Sequence, residues 1–191
     1  QNLALNMQRG QPGDDNFDLS NAMLTAVTEN DLVTPSGISL RNYPGGVGGI
    51  KEAKELFSQV LGVTPDKMFV AGNSSLKILG DILLWATIKG VNGSNTPWNP
   101  ATDKFIVTVP GYDRHFTLLE NLGFGMIQVQ MTDEGLDIEA VEKAAASDPS
   151  VKGLIFVPTY SNPTGQTVSD AVVDRLASMK TAAKDFTIFA D

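Results

Sequence analysis

Cysteine is absent from the 191 residues, which excludes a disulfide framework, a thiolate metal site and a cysteine nucleophile. Histidine occurs once, so neither a histidine-rich metal centre nor a two-histidine acid–base pair is available. Basic runs are missing too. Fourteen Lys and Arg stand against 22 Asp and Glu, a net charge of −8 with an isoelectric point near 4.6. Binding to a phosphate backbone rests on clustered cations that release counterions, so no nucleic-acid partner is expected. No apolar run approaches the roughly 18 residues of a membrane span, and no membrane partner is expected either. The opening residues, Gln1 to Asn6, have neither a basic nor an apolar segment of the kind that directs secretion. A cytoplasmic location follows by elimination.

What remains is globular in texture. The chain is 42% hydrophobic and 19% charged, and it is long enough for one sizeable core. From Met68 onward apolar runs alternate with longer amphipathic ones. Residues 68–71, 104–109, 126–129, 154–157 and 186–190 read as buried strands, with helices around 75–89, 114–122, 137–146 and 168–184. In the last of these, Val172, Leu176, Met179 and Ala183 fall on one helical face. This alternation predicts an α/β three-layer sandwich whose mostly parallel sheet is covered on both faces. Residues 1–48 are different: rich in Gly and Pro, with one modest helical stretch at about 18–29, they read as an extended arm. Residues 49–191 read as the first part of a larger α/β domain. The turn-rich run from Gly93 to Pro100 is expected to be a surface insertion. An apolar strand run that stops at Asp191, with no helix after it to cover it, is expected to belong to a longer polypeptide.

Ligands of parallel sheets bind beyond the carboxyl ends of the strands, so the loops there are the place to look for chemistry. After the first expected strand comes Gly72-Asn73-Ser74-Ser75 and then a helix. Amides and hydroxyls at such a junction either cap the helix or hold an anion. It is not a Walker A loop, because the Gly-Lys-Ser/Thr ending is missing. After the second comes Pro110-Gly111-Tyr112-Asp113-Arg114-His115, an aromatic and an imidazole three residues apart. They either face a ligand or pack as an ordinary turn. After the fourth comes Ser161-Asn162-Pro163-Thr164-Gly165, a stiff loop bearing a carboxamide, and the fifth delivers Asp191.

In order and spacing these four loops resemble the large domain of fold-type I pyridoxal-phosphate aminotransferases. Asn162-Pro163-Thr164-Gly165 about thirty residues before a strand-terminal Asp is the most specific part of the likeness. Arg9-Gly10-Gln11-Pro12 is similar to that family's N-terminal Gly-x-Pro segment. Asn42-Tyr43 before Gly45-Gly46-Val47-Gly48-Gly49 resembles its Tyr-x-x-x-x-Gly lead-in to the large domain. Gly-Asn-Ser-Ser is closest to the aspartate aminotransferase-like branch described as MocR-related in bacteria.

The resemblance implies a role for each residue. Asp191 would pair with the protonated pyridine nitrogen of pyridoxal 5'-phosphate, and His115 would hydrogen-bond that Asp from behind. Tyr112 would stack on the ring, and Asn162 would donate to its phenolic oxygen on the side where substrate binds. Asn73, Ser74 and Ser75 would hold the phosphate. Tyr43 would reach the phosphate of a neighbouring subunit, which implies a homodimer. Gly10 would give the substrate carboxylate an amide and clearance. By the same resemblance the Schiff-base lysine, the phosphate-binding arginine and the arginine for the substrate α-carboxylate lie outside the chain, as does the small C-terminal domain. The implied activity is transamination between an amino acid and a 2-oxo acid, with aspartate and 2-oxoglutarate favoured. A lyase or decarboxylase on the same scaffold is the runner-up. The effector-binding, aminotransferase-like domain of a transcription regulator is the rival from another class. No metal is implied.

Overall fold

The Gly- and Pro-rich first segment makes little regular structure in the computed structural model, which describes residues 12–43, 46–91 and 93–191. Two compact units are present, Gln1–Ala71 and Gly72–Asp191. In the first, α1 (Asp14–Asp18) is followed by two 3-10 turns, Asn21–Thr25 and Glu29–Asp31. These replace the single helix expected at 18–29. Thr28 and Asp31 close the second turn by capping each other's backbone amides, which stabilises a turn where no apolar face exists to extend a helix. The segment then folds back through a bridge between Val33 and Ser39. Helix α2 (Lys51–Leu61) follows, stopped by Gly62 in the left-handed conformation. Glu52, in its first turn, accepts the Ser36 amide at 2.9 Å. Hydrogen bonding by the Ser36 hydroxyl first, then by Glu52's own backbone and the Ser36 amide, with Thr34 adding to them, holds the carboxyl down at about 2.

Residues 68–71 are not the strand their apolarity predicts. A strand needs a ladder; here the Met68 amide closes the preceding turn on the Pro65 carbonyl and the Val70 amide makes one isolated bond to the Gly48 carbonyl, while Phe69 is exposed.

The second unit holds the sheet. Its strands are β1 (Lys104–Val109), β2 (Gly125–Thr132), β3 (Gly135–Leu136), β4 (Val151–Phe156) and β5 (Thr187–Ala190). Their order is β3-β2-β1-β4-β5. All neighbours pair in parallel except β3, which folds back antiparallel on β2. This fulfils the expectation of a mostly parallel sheet in an α/β layered fold. Side chains of a strand alternate between faces, and each face has its own core. Phe105, Val107 and Ile155 pack with α3 (Ser75–Lys89) and α4 (Asp113–Leu122). Ile106, Leu154 and Phe156 pack with α5 (Ile138–Ser147) and α6 (Asp170–Ser178). Each fully buried Leu, Ile or Phe contributes roughly 1.5–3 kcal/mol.

Two further expectations change. The last helix ends at Ser178 and not near 184, because Met179 turns extended and the Ala182 amide bonds the Ala145 carbonyl of α5. Met179 and Ala183 still pack on the core, so the apolar pattern was satisfied by a different backbone. The run from Gly93 to Pro100 is not a mere surface insertion. Trp98 is 2% exposed, stacks edge-on against Phe105 at 5.5 Å, and donates its indole N–H to Asp185 at 2.9 Å. Lys152 closes the cluster at 3.1 Å from the same carboxylate. Burial pushes the Asp185 carboxyl up, but the Trp98 and Lys152 hydrogen bonds outweigh it and leave the group below its ordinary range.

Candidate active site

Parallel register brings three chain segments to one edge of the sheet. Phe156 pairs with Ala190, and Asp191 continues β5 with its amide bonded to the Phe156 carbonyl at 3.1 Å. β1 leaves the same edge into Pro110-Gly111-Tyr112. Gly111 is required here by space, since a Cβ would run into the Thr108 carbonyl oxygen and the Phe116 ring. The tight turn lets α4 start at once, with Tyr112 as its N-cap and His115 in its first turn.

His115 is 3% exposed, and its Nε2 lies 2.7 Å from Asp191 Oδ2. A carboxylate oxygen accepts, so Nε2 carries the hydrogen and donates. This leaves Asp191 Oδ1 unengaged by the imidazole. The Tyr112 ring meets the His115 ring edge-on at 5.1 Å and 86°, which fixes both planes. The sequence set Tyr112 and His115 on one loop, and the resemblance implied the His115–Asp191 bond; the fold brings all three into one cluster.

Helix α3 begins close by. Ser75, Ile78, Leu79 and Ile82 line a recess of about 190 Å³ whose other wall is Phe189, Ala190 and Asp191. Ser74 is the N-cap, its Oγ accepting the Lys77 amide at 3.3 Å. The capping role considered for this serine is therefore filled, while the other first-turn amides of a 15-residue helix remain a favourable place for an anion. Nothing lies within 4 Å of where a Gly72 Cβ would stand, so the approach to this helix start is open. Asn73, Ser74 and Ser75 are exposed.

The loop after β4 carries Ser161, 2% exposed, and Asn162, exposed. Its two ends are tied by bonds from Ser161 N–H to the Gln166 carbonyl and from Val168 N–H to the Pro158 carbonyl, both 2.8 Å. Gln166 is itself anchored to the Thr132 carbonyl. Of the remaining candidates, Tyr43 belongs to the first unit and is 98% exposed, and Gly10 lies outside the described residues. Sequence reasoning missed Ile78, Ile82 and Phe189 as recess walls. Their i, i+4 spacing marked a helix face without saying that β5 would lie beneath it.

A family model described as aspartate amino-transferase matches residues 1–191, the whole chain. The chain belongs to the aspartate aminotransferase family. It is 41% identical over 191 residues to the aspartate aminotransferase of Corynebacterium glutamicum, covering 100% of this chain and 44% of that relative. The crystal structure of an aspartate transaminase from the same species superposes with a TM-score of 0.90 at 41% identity, over 97% of this chain and 44% of the other. A Corynebacterium diphtheriae structure gives 0.92 at 43% identity, over 99% and 46%. The chain thus spans less than half the length of these aminotransferases. Its sheet and covering helices are those of the aminotransferase large domain, in part. Among the described residues no helix is long and apolar enough to cross a membrane.

Proposed function

We propose that this chain is part of a pyridoxal-phosphate-dependent aminotransferase that exchanges an amino group between an amino acid and a 2-oxo acid. Aspartate and 2-oxoglutarate are the favoured pair. The observation that carries the reading is the His115–Asp191 contact at the carboxyl edge of the sheet. A buried imidazole there fixes a carboxylate whose second oxygen is left for a ligand. Family membership supports the substrate class, and the C. glutamicum relative's name supports aspartate within it.

The residues present fit the cofactor. Its phosphate suits the open helix start at Gly72, with the Asn73, Ser74 and Ser75 groups as donors. A cationic ring nitrogen suits the Asp191 carboxylate. When bound, pyridoxal phosphate supplies an electron-accepting ring that makes the substrate α-proton labile. Asp191 keeps the proton on that nitrogen, and His115 holds Asp191 in the orientation that serves it. Tyr112, its plane set by His115, gives the ring a flat aromatic neighbour. Asn162 offers an amide donor to an anionic oxygen and to substrate. Gly10 would accommodate the substrate carboxylate, and Tyr43, wholly exposed on its own chain, would serve a second copy in a homodimer. We place residues 1–48 as the arm on the substrate side and the protein in the cytoplasm.

The test is direct. In the full-length protein reconstituted with pyridoxal phosphate, aspartate and 2-oxoglutarate should yield glutamate. Absence of amino transfer with any amino acid would overturn the reading.

A further inference from the structure

Tyr160 is the only non-glycine among the described residues with a positive φ, +50°. An L side chain is strained there and glycine is not. The conformation is held from both sides: the Tyr160 amide donates to Thr167 Oγ1 at 3.2 Å, and the Ser161 amide donates to the Gln166 carbonyl. The resulting turn sends Ser161 inward and leaves the Tyr160 side chain 80% exposed. Its hydroxyl makes no hydrogen bond among the described residues. Among the described residues, then, a strained backbone presents a large ring left mostly to solvent. Strain of this kind persists where surrounding bonds over-determine it, as these two do, and residues so held cluster at ligand-binding sites.

The position says which contact. Tyr160 lies four residues beyond Phe156, the partner of Ala190 beside Asp191, and two residues before Asn162 on the same tied loop. Tyr160 therefore belongs to the loop that leaves the carboxyl end of β4, beside the edge where ligand is expected. A ring with two χ angles loses little freedom on contact and buries much apolar area.

We infer that Tyr160 is a substrate-contacting residue whose ring covers the side chain of the bound amino acid or 2-oxo acid. The inference rests on the function proposed above.

The test uses the full-length protein with its cofactor and compares wild type, Tyr160→Phe and Tyr160→Gly. Glycine fits φ +50°, so Tyr160→Gly should not lower the thermal midpoint. It should weaken succinate binding in calorimetry about tenfold, as loss of one aromatic contact does, and raise KM for aspartate comparably while kcat changes less. Tyr160→Phe keeps the ring and should stay within about twofold of wild type for both constants. Unchanged succinate affinity and KM in Tyr160→Gly would overturn the inference. So would unchanged affinity with weakened self-association in sedimentation, which would assign the ring to a contact between copies. A wild-type protein that neither binds succinate nor transfers amino groups would overturn the proposed function, and this inference with it.

Discussion

Asp191 and His115 illustrate how a single hydrogen bond can be worth more than its strength. The imidazole is sealed from water and its donor points at one carboxylate oxygen, so the other oxygen is aimed without cost at the moment of use. In the full-length protein Asp191→Ala should reduce amino transfer by orders of magnitude while far-ultraviolet circular dichroism stays unchanged. Near-normal turnover would remove Asp191 from its role. Tyr112 makes a different demand, because its ring contacts the buried imidazole edge-on. Tyr112→Phe should retain most activity and Tyr112→Ala should lose cofactor affinity, measured by absorbance titration with pyridoxal phosphate. Equal losses in both variants would shift the role to the hydroxyl. At this scale the sequence was informative wherever a residue type has one strong use. A lone His three residues after Tyr and an Asp ending an apolar run both pointed to the site. Tyr160 was not legible. Tyrosine has no preference for the left-handed region, and the bonds that impose it come from Thr167 and Gln166, which acquire meaning only when the loop closes.

Among the elements, the loop from Gly93 to Pro100 was misjudged and the reason is physical. Turn residues report backbone geometry, and they cannot report that Trp98 will find an acceptor 87 positions later in Asp185. That cluster joins the segment after α3 to the beginnings of β4 and β5. Lys152→Met should destabilise the protein by about 3–5 kcal/mol in denaturant unfolding, because it leaves the Asp185 carboxylate buried without its cation. Adding Asp185→Asn, which keeps an acceptor for the indole, should recover a large part of that loss. Strands β1 and β4 and helices α3 to α5 were legible because each buries apolar residues in a regular pattern; β2 and β5 were legible from their apolar runs, although they bury less. β3 was not: two residues carry no period. In the first unit the Glu52–Ser36 bond sets a pH dependence. A carboxyl held at about 2 against an ordinary 4.5 favours the fold above pH 4.5. That contribution is lost as pH falls through 2. Amide exchange at Ser36 should therefore accelerate as pH drops from 4.5 toward 2, beyond the intrinsic trend, and Glu52→Gln should abolish the excess.

For the molecule as a whole, the proposed cofactor raises the question of which lysine would meet its aldehyde. The lysines of this chain that form ion pairs are occupied elsewhere. Lys51 pairs with Glu55, Lys77 bonds Asp81 at 2.7 Å, Lys104 bonds Asp148, and Lys152 bonds Asp185. Lys77 comes nearest to the site in sequence, yet it points along α3 to its i+4 partner. The isolated 191 residues, mixed with pyridoxal phosphate and reduced with borohydride, should show scattered, partial labelling by mass spectrometry. Stoichiometric labelling of one lysine would place the nucleophile within this chain. The layered α/β class and the family were both legible because four loop motifs come in a fixed order, three of them at strand ends and one at the start of α3. The pairing order β3-β2-β1-β4-β5 was not, since nothing local in a parallel strand names its neighbour.

Strand β5 has a neighbour on one side only within this sheet. Its four residues, Thr187 to Ala190, contain no Lys or Pro, the residues that blunt such an edge. The charges nearest to it, Lys184, Asp185 and Asp191, stand just outside the strand, and two of them are already engaged. Any form of the protein that displays this edge to solvent offers it as a template to a second copy of itself. In such a form the Phe189 segment is an aggregation hazard, and shielding it is a matter of quality control.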